Sequence, residues 1–552
     1  MKRSHRASLL VLPILLVGAP ALAQTAPPAP PPAAEPAPAP APQPVAAPAA
    51  PPPPVGGYDA PAPPPPPPAS SPLISLTTLR ILKEKGIITQ AEYDSALHDM
   101  TDSIGQKGTG EANTVAVGKW ATTIYGFVEA DSIFDTTQSL NDLAGNAQIA
   151  RGGTYGGSNN RMQFGIRNSR LGFRFKAPEV AGIRSTATIE TDWLGNQMPV
   201  GPVSGSAAQV GATGTGTSTE GQYFTNPTLR VRHAYLKLET PVVDFLFGQY
   251  WDLYGWQQTY APNSVEMQGL PGQLYSRTPQ IRISKTVKSD SFLFEIAIAA
   301  LRPPQRDSAV PKGQAGIRIG LPFWSGLTTG GATGTAIMPA SIAVTGDARS
   351  FTVPYPSAPT NASEAAQKFG DSLAVDAFIP IIPKKKREGN ALSLSGEFST
   401  GYGNADLYTG LTGGANAAYP TNLVQKGQTA LQPDIDPGFG MYDNQGNFHL
   451  IQWTSYRIGL EYYFPGTDGK FWISANYSNI GSNNLKNLAQ NSEVGLKTSS
   501  VRDNETFYDG NIFWDATDAV RLGIEAAMFQ DKYADGQQPQ NFRTQFSAFY
   551  IF

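Results

Sequence analysis

Arginine and carboxylate side chains recur on the polar faces of segments in which polar and apolar residues alternate. The planar guanidinium group of arginine suits paired hydrogen bonds to carboxylates and phosphates. A row of arginines therefore indicates a surface that attracts anions, whereas nearly balanced acids and bases are typical of charges that only solvate a polar wall. Both interpretations stay open. The bases are Arg170, Arg174, Arg184, Arg282, Arg318, Arg457, Arg521 and Arg543, and the acids are Glu129, Asp131, Glu190, Asp192, Glu295, Glu397, Glu461 and Glu525.

Few residues of the chain are suited to catalysis. Cys is absent, and beyond the N-terminal segment the only histidines are His98, His233 and His449. No Gly-x-Ser-x-Gly elbow, metal-spaced His pair or phosphate-binding Gly loop occurs. The formal net charge of −3 indicates no general attraction to nucleic acid. We therefore expect no enzyme activity, no metal and no cofactor.

Residues 1–23 have the pattern of a cleaved secretory signal. Lys2, Arg3 and Arg6 form a positive start, residues 9–17 form a short apolar core, and residues 21–23 supply a small-x-small cleavage site. The alternative is a membrane anchor, but the apolar run is too short to span ~30 Å of hydrocarbon. No apolar run of membrane-spanning length follows, so an exported membrane protein with this sequence has to cross the membrane with strands.

Three further segments precede the main domain. Residues 24–72 are almost entirely Pro and Ala, which predicts an extended spacer that buries no core, with recognition by a proline-binding partner as the alternative. Residues 73–101 show helical spacing interrupted at Gly86, which predicts a short helical hairpin. Within it, residues 82–93 resemble the SHOCT-like short helical module. Residues 102–120 read as a linker.

Residues 121–552 alternate between apolar and polar positions, segment after segment. In one segment Ile458 and Leu460 oppose Arg457 and Glu461. Many segments run for about ten residues, whereas strands of soluble proteins average about five or six. The connections also alternate in length. Short ones lie at 177–181, 240–242, 288–290, 383–390, 465–469 and 517–518, and long ones at 136–162, 195–227, 253–275, 347–370, 402–449 and 481–503.

Short turns on one rim and long loops on the other are typical of transmembrane β-barrels. We therefore predict an all-β fold, an antiparallel barrel of sixteen strands whose ninth strand lies near residues 338–346. An even number of strands places both chain ends at the same rim. A barrel of this size leaves a water-filled lumen.

Several segments resemble the DcaP-like trimeric porins. These are residues 124–131 in the first strand, 168–175 in the second, and 230–238 with 247–252 in the pair before the third long loop. The resemblance implies a homotrimer of sixteen-stranded barrels in the bacterial outer membrane, which passes small and often anionic solutes such as dicarboxylates. The chain ends on Phe552, similar to the closing strand that the barrel-assembly machinery recognises in outer-membrane proteins.

The same resemblance places the constriction loop of the pore at residues 253–275. This loop carries Tyr254, Trp256 and Glu266, and it is bounded by Asp252 and Arg277. Folded inward, it would set Glu266 against arginines of the wall and create a transverse field. The alternative is an external loop whose aromatic residues pack at a subunit interface or at the membrane rim.

One cluster of cations lies outside the alternating pattern. Residues 384–387 read Lys-Lys-Lys-Arg in a short connection, which indicates either contact with anionic lipid headgroups or periplasmic polymer, or a solvated surface. For the whole chain we expect passive diffusion of small hydrophilic solutes. The alternative function is an anchor or cell-wall tether, with the spacer holding the cell wall and a barrel that conducts little.

Overall fold

The computed structural model describes residues 114–117, 120–195, 226–305, 308–330, 334–354, 365–411, 438–443, 447–491 and 501–552, together with Lys83, Lys85 and Asp436. The predicted signal peptide, spacer and helical hairpin lie outside the described residues, apart from the two lysines, and stay predictions. Within the described ranges, no helix is long and apolar enough to cross a bilayer.

Sixteen antiparallel strands form one closed β-barrel, as the sequence predicted. The first strand pairs with the last, with Val128 opposite Tyr550. The sheet also includes the short segment Thr114–Val117, which folds back on the first strand. The strands are β1 Trp120–Asp135, β2 Arg161–Gly165 and Arg170–Lys176, β3 Arg184–Asp192, β4 Arg230–Glu239, β5 Asp244–Trp251, β6 Arg277–Lys288, β7 Leu293–Leu301, β8 Lys312–Thr329, β9 Thr335–Pro354, β10 Ala365–Ile382, β11 Ala391–Tyr402, β12 Gln452–Tyr463, β13 Phe471–Ser482, β14 Arg502–Asp515, β15 Val520–Tyr533 and β16 Gln540–Ile551.

The two faces of each strand follow the alternation in the sequence. On β12, Ile458 and Leu460 are exposed on the outside, while Arg457 and Glu461 are buried inside. The same pattern repeats on β14–β16, where Tyr508 is among the exposed apolar residues. A continuous belt of exposed aliphatic and aromatic side chains is what a bilayer requires of a closed barrel, whose backbone groups are all paired. The architecture is therefore that of an outer-membrane β-barrel.

The connections separate onto two rims. Short turns join β2 to β3, β4 to β5, and each later even-numbered strand to the next, and both ends of the barrel domain lie at this rim. The opposite rim carries the longer loops. One predicted loop is wrong in extent, because β9 continues to Pro354 and β10 begins at Ala365, so most of residues 347–370 is strand. Asp347 and Arg349 lie within this range, and they are buried on the inner face of the strand and do not end it.

The barrel encloses a hydrophobic core made largely by loops. Tyr254 and Leu274 from the β5–β6 connection pack with Tyr408 from the β11–β12 connection and with Trp453 of β12. A second cluster joins residues of the β1–β2 connection, including Leu140, to strands β14 and β15. Part of the lumen is therefore filled with packed side chains.

Candidate functional site

The β5–β6 connection, residues 252–276, is the inner loop. Near β5 its backbone is held by two strands. Leu253 N–H donates to Gln314 Oε1 of β8 at 2.8 Å, and Gly255 N–H donates to Thr345 Oγ1 of β9 at 2.8 Å. Gly255 has a φ of +78°, and a Cβ there would lie 2.5 Å from Leu274 Cδ1, so the turn at this point requires glycine.

The middle of the inner loop reaches the far side of the barrel. Arg457 Nη2 of β12 donates to Tyr260 O at 2.6 Å, and Val265 N–H donates to Asn511 Oδ1 of β14 at 3.0 Å. Further on, Leu274 N–H donates to Glu397 Oε1 of β11 at 2.9 Å. A loop that leaves at β5 and contacts inward-facing residues of β8, β9, β11, β12 and β14 can only cross the interior. The inner loop therefore divides the lumen.

Most of the predicted constriction residues anchor this loop. Asp252 is buried and accepts a hydrogen bond from Lys312 Nζ of β8 at 2.8 Å. Tyr254 and Trp256 are also buried, within two hydrophobic clusters. Arg277 at the other end of the loop is half-buried, and its guanidinium lies 4.9 Å from the ring centroid of Trp251. Of these predicted residues, only Arg277 keeps a side chain partly open to the lumen.

Glu266 does not occupy the place expected from the sequence. Its Oε2 lies 3.6 Å from Arg543 Nη1 of β16, and its backbone N–H donates to Glu525 Oε2 of β15 at 2.9 Å. Only 1% of the residue is exposed. Burial raises the pKa of Glu266 to about 8, although Arg543 acts in the opposite direction. The expected field between Glu266 and arginines across a passage is therefore not formed, because this carboxyl is sealed against a different wall.

The connection after β11 also folds into the lumen and is held by the same strands as the inner loop. Asp406, in residues 403–411 after β11, receives hydrogen bonds from Lys312 Nζ at 3.0 Å and from Arg349 of β9. Burial raises the pKa of Asp406, but the charges of Arg349 and Lys312 outweigh burial and lower it to about 2. This carboxylate stays charged and joins the loop to two strands.

These loops cover the inner face of β9–β16, which we call the covered wall. Arg457, which we expected to line a pore, is 1% exposed because the inner loop lies on it. Glu129 and Asp131, on β1 beside the seam with β16, are also buried, and Asp131 accepts a hydrogen bond from Ser547 Oγ at 2.5 Å. The expectation of an open position is wrong for all three. The other predicted charges of the covered wall that are buried are Glu397, Glu461, Arg521, Glu525 and Arg543.

The inner face of β2–β8 has less cover, and we call it the open wall. Arg174 is exposed and lies over the ring of Tyr125, with 5.3 Å between the guanidinium carbon and the ring centroid. Arg282 lies over Tyr250 in the same way at 5.4 Å. Tyr235 packs edge-on against Tyr250, with 4.7 Å between ring centroids. Arginines and aromatic rings therefore alternate along this wall.

Two arginines of this wall were missed as site residues. Arg230 and Arg232 of β4 both bind Asp192, at 2.6 Å and 3.0 Å, and Arg232 Nε also donates to Glu190 Oε1 at 2.8 Å. Arg170 Nε lies 3.5 Å from the same Glu190 oxygen. The alternate spacing of 230 and 232 on a predicted strand was the signal that could have found them.

The remaining predicted charges lie towards the rim of the short turns. Arg318 Nη2 is 2.7 Å from Glu295 Oε2, and the two side chains are 14% and 18% exposed. Arg184 is 53% exposed and lies 3.5 Å from Glu239 Oε2 at the mouth of the barrel.

Positive charge dominates the accessible part of the open wall. Apart from carboxylates at the mouth such as Glu239, the described carboxylate of this wall that keeps partial exposure is Glu295, at 18%, while Asp192 and Glu190 are buried. The acids that balance the arginines in composition lie mostly under the loops. The described arginines on the strands of this wall that keep at least partial exposure, Arg184 at the mouth apart, are Arg170, Arg174, Arg230, Arg277, Arg282 and Arg318.

Among the described residues, no three His, Asp or Glu side chains are grouped so as to hold a metal ion. His233 is buried beside Tyr250, with 5.2 Å between ring centroids, and its Nε2 is 3.9 Å from Glu190 Oε1. No described Ser or Thr is paired with it. The geometry of the lumen is that of a charged passage.

The structure is similar to the outer membrane channel DcaP of Acinetobacter baumannii. The match has a TM-score of 0.54 and 16% sequence identity, and it covers 79% of this chain and 99% of that channel. This chain has the fold of DcaP. Two porins match with TM-scores of 0.41, an anion-selective porin from Comamonas acidovorans at 10% identity and OmpF of Salmonella typhi at 8% identity. They cover 78% and 80% of this chain, and each is itself covered completely.

No protein-family model and no curated protein matches the sequence. The resemblance to DcaP-like porins that the strand segments indicated is therefore confirmed at the level of the fold, by the DcaP match and by the sixteen-stranded topology itself.

Proposed function

We propose that this protein is an outer-membrane porin for passive diffusion of small hydrophilic solutes, and that it favours anions such as carboxylates. The observation that carries the proposal is the unequal cover of the lumen. The inner loop buries the carboxylates of the covered wall, whereas arginines of the open wall remain partly exposed. Solutes that pass between the loop and the open wall therefore meet a surface of net positive charge.

The arrangement suits conduction more than tight binding. Arg174 lies over the ring of Tyr125, and Arg282 lies over the ring of Tyr250 and donates to Trp251 O, so neither guanidinium is held in an ion pair among the described residues. Several separated cationic positions lower the energy of an anion along the passage without one deep site that would hold it. An effective dielectric constant below that of bulk water strengthens this attraction in the confined lumen.

The proposal includes the assembly and partners that the sequence indicated. The exposed apolar belt is in contact with outer-membrane lipid, and the barrel-assembly machinery recognises the closing strand that ends at Phe552. The functional unit is a homotrimer, as the sequence resemblance implies. The proposed partner of the Pro/Ala-rich segment, residues 24–72, is the cell wall.

Recordings from the full-length protein in planar lipid bilayers test the proposal. We expect stepwise current increases as barrels insert, and under a gradient of KCl a zero-current potential with the sign of anion preference. Insertion without conductance, verified by protease protection of the reconstituted barrel, would favour the anchor or cell-wall tether. Conductance with a zero-current potential near zero would support the porin function and contradict the preference for anions.

A further inference from the structure

Two neighbouring strand pairs are irregular close to the rim of the short turns. The pairing of β8 with β9 skips residues 322–324, which have no partners in β9. The pairing of β10 with β11 is irregular beside Pro380. The indole Nε1 of Trp324 donates to Pro380 O at 2.7 Å, so the bulge of β8 is fixed to β10.

This bulge presents aromatic side chains on the outside of the barrel. Phe323 is 58% exposed and Trp324 is 36% exposed. Ile337 of β9 and Ile379 and Ile381 of β10 are also exposed nearby, and they continue the apolar belt of the barrel toward this rim. The surface is therefore apolar at the level where hydrocarbon gives way to headgroups, where aromatic residues are typically found.

Three lysines lie directly beside the aromatic bulge. The turn between β10 and β11 is attached to the bulge through Lys384 N–H, which donates to Ser325 O at 2.7 Å. A cavity of about 410 Å³ opens between Phe323 and the side chains of Lys384, Lys385 and Lys386.

The lysine cluster carries more positive charge than its carboxylate can balance. Lys384 Nζ lies 3.3 Å from Glu388 Oε1, and Lys386 Nζ lies 3.6 Å from Glu388 Oε2. No residue in the described part of the chain forms an ion pair with Lys385. Arg387 is directed elsewhere, to Asp515 at 2.5 Å. Three lysines against one glutamate leave a net positive cavity.

We propose that this cavity binds the phosphate of an anionic phospholipid, with the acyl chains of the lipid lying along Ile337, Ile379 and Ile381. A phosphate accepts hydrogen bonds from ammonium groups, and basic residues at the membrane surface attract anionic headgroups. The apolar side chains that border the cavity favour a lipid over a soluble polymer. A polymer would bind only the charged lysines, whereas a lipid would also bury its acyl chains against the apolar side chains. The site does not depend on what passes through the lumen.

A neighbouring cavity supplies an internal comparison. It has about 530 Å³ between the turn that joins β12 to β13 and the end of β14, and Phe471 and Trp514 line it. Its lysine, Lys470, is paired with Asp518 at 3.0 Å, and Asp515 receives Arg387. This second cavity has the same apolar character with balanced charge, so we expect no preference for anionic lipid there.

The test is native mass spectrometry of the full-length protein, equilibrated in detergent with equal amounts of phosphatidylglycerol and phosphatidylcholine. The wild type should retain phosphatidylglycerol preferentially. Joint substitution of Lys384→Ala, Lys385→Ala and Lys386→Ala should lower that preference by at least about tenfold, since each basic residue near a membrane surface contributes a several-fold attraction. The Lys470→Ala control should retain the wild-type preference.

Four further results support or overturn the lipid site. Replacing the same lysines by arginine should preserve lipid preference, which separates charge from damage to the turn. Wild-type preference in the triple alanine variant, with heat-modifiable migration showing a folded barrel, would overturn the site. If the wild type retained free glycerophosphoglycerol as well as it retains phosphatidylglycerol, the cavity would bind phosphate groups without a contribution from the acyl chains. Loss of binding to purified cell wall, with lipid preference unchanged, would assign the lysines to the polymer.

Discussion

Residues of the same type serve different purposes on the two walls of this barrel. Arg457 and Arg543 are buried and hold the inner loop through Tyr260 O and Glu266. Arg174 and Arg282 lie on the open wall, and among the described residues neither forms an ion pair with a carboxylate. All four arginines face the inside of the barrel. They differ in exposure because the loops lie on Arg457 and Arg543 and leave Arg174 and Arg282 accessible.

Substitution of Arg174→Ala together with Arg282→Ala should move the zero-current potential toward cation preference. A charge several ångströms from a permeating ion contributes on the order of 1 kcal/mol in a partly screened passage, so the ratio of anion to cation permeability should fall several-fold. Bilayer recordings at low and high salt measure the change, which should shrink as salt screens the charges.

The matched control is Arg184→Ala, which removes one positive charge at the mouth of the barrel and is compared with the single variants Arg174→Ala and Arg282→Ala. Arg184 is 53% exposed and paired with Glu239, so its loss should have a smaller effect. An unchanged zero-current potential in the double variant at low salt would mean that the arginines only solvate the wall.

Glu266→Gln should leave selectivity unchanged at neutral pH, in contrast to what the sequence suggested. Its raised pKa of about 8 means that the folded protein holds this carboxyl mostly protonated at pH 7, whereas an unfolded chain ionises it above about 4.3. Wild-type stability attributable to this group is therefore complete below about pH 4.3 and decreases as the pH rises toward 8. The variant should lack that decrease.

Melting curves of both proteins across this pH range test the assignment. The two should coincide in acid, and the variant should melt a few degrees higher at pH 8. A shift in zero-current potential in this variant at neutral pH would instead indicate that Glu266 faces the passage.

At the scale of elements, the path of the inner loop decides the shape of the lumen. A Cβ built on Gly523 of β15 would lie 2.9 Å from Val265 Cγ2 of the loop. This proximity is compatible with the Cβ separations of disulfides. The chain has no Cys, so the Val265→Cys and Gly523→Cys double variant should form one new bond under oxidation, without competing pairs.

Formation of the bond is measured by gel mobility without reductant, by thiol titration and by mass spectrometry of the peptides. Each single-cysteine variant is a control for migration and for folding. Free thiols in a folded, oxidised double variant would show that the inner loop does not lie against β15.

At the scale of the whole molecule, Phe552 forms part of the seam that closes the barrel. Phe552 N–H donates to Gly126 O at 3.0 Å, and Gly126 N–H donates to Phe552 O at 3.0 Å, beside the pairing of β1 with β16. Deletion of Phe552 should therefore strongly reduce the amount of assembled barrel, since the seam loses two hydrogen bonds and the terminal aromatic side chain. Heat-modifiable migration of outer-membrane fractions measures this loss.

The Phe552→Ala variant separates the two contributions, because it keeps the backbone bonds and removes the ring. Deletion of residues 24–72 is the second control, and it should leave assembly and conductance intact because a Pro/Ala-rich segment buries no core. Normal levels of assembled barrel after deletion of Phe552 would exclude it as an assembly signal.

The sequence alone was sufficient to predict the barrel, its sixteen strands and its two kinds of rim. Alternation is a local property, because each strand residue faces either lipid or interior according to its position, as at Ile458 and Arg457. Turn and loop lengths are also visible along the chain. The error at residues 347–370 has the same origin, since polar residues inside a barrel look like those of a loop.

Only the tertiary structure decided which charges a solute can meet. Cover of a side chain depends on contacts between residues far apart in the chain, such as Val265 with Asn511, which are separated by 246 positions. The alternation of polar and apolar residues is the same around Arg457, which the inner loop buries, and around Arg174, which is exposed on the open wall. The balance of acids and bases was readable from composition, but its division between a covered wall and an open wall follows from the path of the inner loop through the barrel.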